Sequence, residues 1–282
     1  MSLFSVNTNQ GAAVALASLT ATATQLNSTQ KQISTGYQVA DATDNGAAYA
    51  IAQRVRSDVS TLTTANQQIG TASALVGTTL SSLNDVSNTM ISIRSTMTDL
   101  SNSGLDATSR SQYSAQLKQL VTQVSSYLQD STYNGKTLIG DIGGQTATGM
   151  TVVRNEIGTT YGVSTWSGQT NVMNSLAAAT SSSLTAGYFQ AVLGTTGMLT
   201  NVANGVGTAL NNYGSISNYL NNQVSYNSDK ISSLNTGLGT LVDANLAQES
   251  AQLQALQIKQ QLATQSLSLA NQAPSMLLKL FQ

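Results

Sequence analysis

Residues 243–282 read DANLAQESAQLQALQIKQQLATQSLSLANQAPSMLLKLFQ, and their apolar positions return at heptad spacing. Leu246, Leu253 and Leu267 form one line, interleaved with Leu256, Ala263 and Ala270. A second line, Ala255, Ile258, Leu262, Leu269, Ala273, Met276 and Leu280, runs beside it. A helix carrying both is apolar over more of its circumference than one partner helix covers. At the other end Ala12, Leu19, Leu26 and Ile33 alternate with Leu16, Ala23 and Tyr37, interrupted by Gln30. The two ends, each about 30 residues long, match in pattern. The reading is a chain folded back on itself, its ends paired, with surface left over for further copies of itself.

Inward from the N-terminal heptads, Gly36 is expected to end the first helix. Residues 1–10 are mostly polar and expected to be weakly ordered. Asp41 and Asp44 stand three apart before the next helix, a spacing open to acid–base chemistry or a cation. N-capping by Asp44 or Asn45 is the expected role. Beyond them Val55, Leu62, Ile69, Val76, Leu83, Met90 and Met97 occupy one heptad position without a polar interruption. Ile51, Ala65, Ala72, Val86, Ile93 and Leu100 occupy the other, broken by Asp58 and Thr79. These lines predict a helix of about 55 residues, long for a compact enzyme and suited to a rod or coiled coil. Its methionines read as core filler.

Ser101 to Gly104 reads as a turn, and Asp106 as the cap of a shorter returning helix striped by Tyr113, Leu117, Leu120, Val124 and Tyr127. Asn134-Gly135 signals a hairpin turn. After it come β-like pieces at 150–153 and 161–166, and loop glycines Gly140, Gly143 and Gly144 without the Lys-Ser/Thr of a phosphate loop. Residues 170–195 look partly helical. Helical periodicity resumes near Val202, shifts register around Gln223 and runs into the terminal helix. The fold expected is mainly α: an elongated coiled-coil-like bundle from paired N- and C-terminal halves, with a small β-rich insert. Its expected parts are a terminal helical pair (1–42 with 243–282), a long-helix rod (43–132 with 200–242) and the insert (133–199).

Only 8% of the 282 residues are charged, 40% are hydrophobic and 5% aromatic, with one Pro and no Cys or His. Ordinary soluble domains carry roughly 25% charge, so polarity here comes from Ser, Thr, Asn and Gln. Such a surface packs against another without desolvating ions. The net charge of −1 gives no footprint for nucleic acid. Without His or Cys the usual general base, nucleophilic thiol and metal ligands are missing, and no cofactor is expected. No apolar run spans a bilayer, and the first basic residue is Lys31, so neither membrane insertion nor a cleaved signal peptide is expected.

Several segments resemble the bacterial flagellins. Asn7-Thr8-Asn9 and Gln32-Ile33-Ser34-Thr35-Gly36 are similar to the family's N-terminal helix. Asp44-Asn45-Gly46-Ala47-Ala48-Tyr49-Ala50-Ile51 resembles its D-D-A-A-G-x-A-I, and Tyr133-Asn134-Gly135-Lys136-Thr137-Leu138 its F-N-G-x-x-L. Asp243-Ala244-Asn245-Leu246-Ala247-Gln248-Glu249 resembles D-A-D-x-A-x-E. Gln260-Gln261, Leu267 and Ala270-Asn271-Gln272-Ala273-Pro274 resemble its closing motif. The resemblance implies a structural, self-assembling subunit of the flagellar filament, secreted through the flagellar type III apparatus for swimming motility, and not an enzyme. It implies an inner tube of terminal helices around a channel, with an assembly interface at Leu16, Leu19, Leu26, Ile33, Leu246, Leu253, Leu256, Ile258, Leu262, Leu269, Met276 and Leu280. It also implies an export chaperone, hook-associated proteins and a cap protein as partners. With only 133–199 available, the outer domain is small or absent.

Two departures stand out. Gly237 to Val242 lack the Arg usual before D-A-D. Ser92-Ile93-Arg94-Ser95-Thr96 replaces R-V-R-E-L, a patch through which an animal innate-immune receptor recognises flagellins. The second implies an altered outward face. Two other readings share the frame: a hook–filament junction protein, and a surface adhesin or glycan binder using Tyr161 and Trp166. The closing motif and the 44–51 match favour the filament subunit.

Overall fold

The heptad lines of the long central segment become one buried helix face. The computed structural model describes residues 8–180 and 185–280, with side chains through 272. Seven α-helices are described: α1 (Gln10–Thr35), α2 (Ala42–Leu100), α3 (Ala107–Gln129), α4 (Asn174–Ala179), α5 (Ala186–Leu193), α6 (Met198–Val242) and α7 (Leu246–Leu280). A π-helical turn, Gln169–Met173, precedes α4. β1 (Ile139–Gly140) pairs in parallel with β4 (Trp166–Ser167), and β2 (Met150–Val153) pairs antiparallel with β3 (Thr160–Val163). The fold is mainly α with a small β insert, as the periodicity indicates.

The chain divides into two compact units, residues 1–57 with 232–282 and residues 58–231. The division differs from the expected one. It falls inside α2 and α6, and the insert is no separate body. Leu138, Ile139, Ile142, Val152, Val163, Val172, Leu176, Phe189 and Val192 join the same apolar core as the long helices.

In the second unit Leu62, Ile69, Val76, Leu83, Met90 and Met97 are buried, as are Ala65, Ala72, Val86, Ile93 and Leu100. Val55, in the first unit, is only half-buried. Thr79, the polar break in the stripe, is fully buried because its hydroxyl donates to the Leu75 carbonyl (2.9 Å). Thr63, Thr64, Thr71, Thr89 and Thr96 return their hydroxyls to the helix in the same way. Arg110 closes the turn after α2 by donating to the Leu100 and Asn102 carbonyls, each at 2.9 Å. Asp106 caps α3 through the Thr108 and Ser109 amides.

Tyr213 of α6 ties the insert to the helices: its buried hydroxyl donates to the Ser164 carbonyl (3.1 Å), and burial pushes its pKa up to about 12. Asn134 (φ 50°) and Gly135 (φ 71°) form the expected turn. Gly140 is not a loop glycine. It lies on β1, where a Cβ would stand 2.4 Å from that of Ala147.

Gly70 and Gly77 lie on the exposed side of α2, where an added Cβ meets nothing within 4 Å. Each helical glycine costs about 0.5–1 kcal/mol relative to alanine. Gly70→Ala and Gly77→Ala are expected to raise the melting temperature of the free chain, followed by circular dichroism. A lowered melting temperature would contradict the open space found there.

Candidate assembly surfaces

In the first unit α1 packs antiparallel along α7. The Asn9 side-chain amide donates to the Ala270 carbonyl (2.7 Å), and at the opposite end the Ala244 amide donates to the Gly36 carbonyl (2.9 Å). Asn9 also caps α1 through the Ala12 amide, and Gly36 (φ 75°) ends it as expected.

The buried residues of this pair are small: Thr22 and Thr29 of α1, 1% and 2% exposed, with Leu256 and Ala263 of α7. They belong to two heptads, Ala15-Thr22-Thr29-Gly36 and Glu249-Leu256-Ala263-Ala270, of which the sequence reading recognised only part. Leu256 is therefore an internal residue of the pair and not a free assembly contact. Leu19, Leu26, Ile33 and Leu253 are half-buried. Leu16, Leu246, Ile258, Leu262 and Leu269 stand exposed, Leu269 at 73%. The side chains of Met276 and Leu280 lie outside the described residues, as do residues 1–7 of the segment expected to be weakly ordered. The seam holds small side chains while large ones face outward. That is the reverse of a self-sufficient helix pair.

Val39, Ala48, Ala52 and Val242 form a second cluster in this unit, with Leu238 and Leu241 packed on it. The apolar residues in the stretch that departs from the family before D-A-D are therefore core. Asn45 caps the main run of α2 through the Ala48 amide, while Asp44 turns to Lys31. The Lys31 ammonium bridges Asp41 (2.7 Å) and Asp44 (2.8 Å). Its bond to Asp41, backed by the Thr43 hydroxyl and amide, holds that carboxyl well below the usual range. Asp44 is lowered by Lys31 and by the Ala40 and Asp41 amides, and Lys31 is raised by the two carboxylates, Asp41 foremost. Two carboxylates locked in the ionised form exchange no proton near neutrality. The pair is an electrostatic tie between the end of α1 and the start of α2.

In the second unit the β2–β3 loop is bound to the helices. The Glu156 carboxylate pairs with the Lys230 ammonium, which lowers the glutamate pKa. The Arg154 carbonyl accepts from Gln223 and from the buried Asn227, each at 3.1 Å, and the Val153 amide donates to Gln68. Tyr161 stacks on Tyr219. On α2, Ser92, Arg94 and Ser95 are exposed, but Thr96 is buried with its hydroxyl on the Ser92 carbonyl. The expected change of outward face thus holds for Ser92 and Ser95 and not for Thr96. Among the described residues no cluster of three metal-ligating side chains occurs, and no helix is long and apolar enough to cross a membrane.

The profile of the bacterial flagellin N-terminal helical region matches residues 6–143, and that of the C-terminal helical region matches residues 196–281. The chain is 30% identical to flagellin FljO of Caulobacter vibrioides over the full length of both. The chain belongs to the bacterial flagellins. A flagellin of Brucella melitensis is 29% identical, and flagellin C of Rhizobium meliloti 27%, each over 99% of both chains. This flagellin is thus a structural subunit of the extracellular flagellar filament, polymerising with copies of itself, and not an enzyme.

The Lys31 tie makes a prediction about pH. The folded-state pKa values of Asp41 and Asp44 lie below their unfolded ones. Their stabilisation is therefore complete above the unfolded carboxylate range and fades as pH falls through the folded values. Lys31, raised above 10.5, loses its part only at alkaline pH. Lys31→Met is expected to lower the urea midpoint near neutral pH, with the gap from the unsubstituted chain closing below about pH 4. A gap that persists unchanged into strong acid would mean that the lysine acts through packing alone.

Proposed function

We propose that the α1–α7 pair of this flagellin forms the inner tube of the filament, through the exposed leucine and isoleucine faces, and that the second unit forms the surrounding layer. The observation that carries this reading is the inversion in the terminal pair. Thr22 and Thr29 fill the seam while Leu16, Leu246, Ile258, Leu262 and Leu269 remain exposed. Covering each of these recovers about 1 kcal/mol or more, and covering five of them in every subunit gives a strong drive to associate. By the same family reading the subunit leaves the cell through the flagellar type III apparatus and serves swimming motility. Its partners on that route are an export chaperone, hook-associated proteins and a cap protein, whose contacts involve the same terminal helices.

Substitution at the exposed positions separates assembly from folding. Ile258→Asp and Leu262→Asp replace side chains that are already in water, so the free subunit should keep its helical content and melting temperature. In the polymer each places an uncompensated charge in an apolar contact. Sedimentation and electron microscopy should find soluble chain and no filaments. Normal filaments from both variants would refute the placement of this interface.

Hydrogen exchange supplies a second test. A pair sealed mainly by Thr22, Thr29, Leu256 and Ala263 opens readily, and isolated helices of this length are marginal in water. Amides of residues 10–35 and 246–272 should exchange fast in the free chain and slowly in the polymer. Equal protection in both states would show that assembly does not complete the packing of these helices.

A further inference from the structure

Two features of the second unit fit each other and are too far apart in kind to be one surface. The first is an open groove of about 150 Å³ between α2 and α6, lined by Met90, Ile91, Leu199, Ala203 and Val206, with Ser87 and Arg94 beside them. Ile91 is 70% exposed on its wall. Small-molecule pockets run roughly 300–1,000 Å³, so this groove is undersized for a metabolite. It has room for about five waters, or for one branched aliphatic side chain.

The second feature is Ile157 at the tip of the β2–β3 loop. At 76% it is the most exposed large apolar residue described in this unit. The loop does not let it retreat. The Arg154 amide donates to the Thr159 carbonyl (2.8 Å), the Gly158 amide to the Asn155 carbonyl (3.2 Å), and the Thr159 amide to Asn155 Oδ1 (2.9 Å). Gly158 takes the left-handed φ of 79° that the turn requires. With Glu156 on Lys230 and the Arg154 carbonyl on Gln223 and Asn227, the isoleucine is presented by a turn fixed on every side. An apolar side chain held in water by so many hydrogen bonds is pre-organised for a contact.

We propose that in the filament Ile157 of one subunit seats in the α2–α6 groove of a neighbouring subunit. This rests on the filament reading above and specifies one of its contacts. A helical polymer needs heterologous contacts, in which one patch meets a different patch on the next copy. A knob and a groove on separate elements satisfy that condition. Charge agrees with it. Glu156, Asp58 and Asp229 outnumber Lys230 and Arg154 around the loop, with Asp58 close enough to act on Lys230. The charge lining the groove is the cation Arg94, which forms no ion pair among the described residues. The other exposed apolar residues of the unit outside the groove, Tyr133 and Tyr226, are larger and less exposed.

The absence of cysteine makes the contact directly testable. Filaments assembled from the Ile157→Cys/Ala203→Cys double variant and then oxidised should run as a ladder of linked oligomers on a denaturing gel, because each subunit donates one knob and one groove. The free double variant and filaments of either single variant should give no ladder. Intact filaments without a ladder, or equal linking by Ile157→Cys alone, would overturn the contact and leave the filament reading standing. That reading fails separately if the unsubstituted chain forms no filaments. Solution assembly provides an independent arm. Ile157→Ser should raise the critical concentration for polymerisation about tenfold or more, and Ile157→Leu much less. An unchanged critical concentration for the serine variant would also overturn the contact, with Tyr226, Tyr133 or the terminal helices then the occupants of the groove.

Discussion

The first unit depends on a seam too small to be self-sufficient. Thr22 and Thr29 meet an α7 heptad whose buried members are Leu256 and Ala263, with the register held at both ends by the Asn9 and Ala244 hydrogen bonds. A leucine at the threonine positions would make a stronger pair and leave less reason to associate. Threonine permits close approach, and its hydroxyl folds back on its own helix, as Thr22 does on the Ser18 carbonyl (2.8 Å). The large apolar side chains are thereby turned outward. Weak internal pairing and strong self-association are two results of one choice of residues.

The second unit follows the opposite rule. Its stripe on α2 is closed by α3, α6 and the insert into one continuous core, so its folding needs no partner. Its unusual expenditure is polar. Asn227, with no exposed surface, bonds Asn66 and the Arg154 carbonyl, and Tyr213 reaches the Ser164 carbonyl. Buried polar groups contribute little net stability, but a missing partner is costly. Such groups fix where the short strands sit, which apolar contact alone leaves loose.

Periodicity explains what was legible in the sequence. The lines Leu62 to Met97 and Ala65 to Leu100 are read directly, because a helix buries what recurs every seven residues. So are Gly36, Asp106 and the Asn134-Gly135 turn, whose chemistry is local. The α1–α7 seam escaped because threonine, alanine and glycine carry little hydropathic signal, although their heptad spacing was present to be counted. Leu256 was assigned outward because two adjacent apolar lines do not say which one is covered. Thr96 was assigned outward from motif alignment, although its place three residues after Ile93 puts it near the buried face. The tie from Lys31 to Asp41 and Asp44, and the clamp from Glu156 to Lys230, join residues whose proximity no local spacing reveals.

The threonines along the helices have a consequence for the polymer as a material. Thr63, Thr64, Thr71, Thr98, Thr122, Thr208 and Thr236 all spend their hydroxyl hydrogens on carbonyls of their own helix. They present to a neighbour a methyl group and an oxygen that needs no donor. With 8% of residues charged, contacts between such surfaces contain few ions for salt to screen. A fibre joined this way outside the cell would keep the same cohesion in dilute water and in brine, where an ion-paired one would loosen.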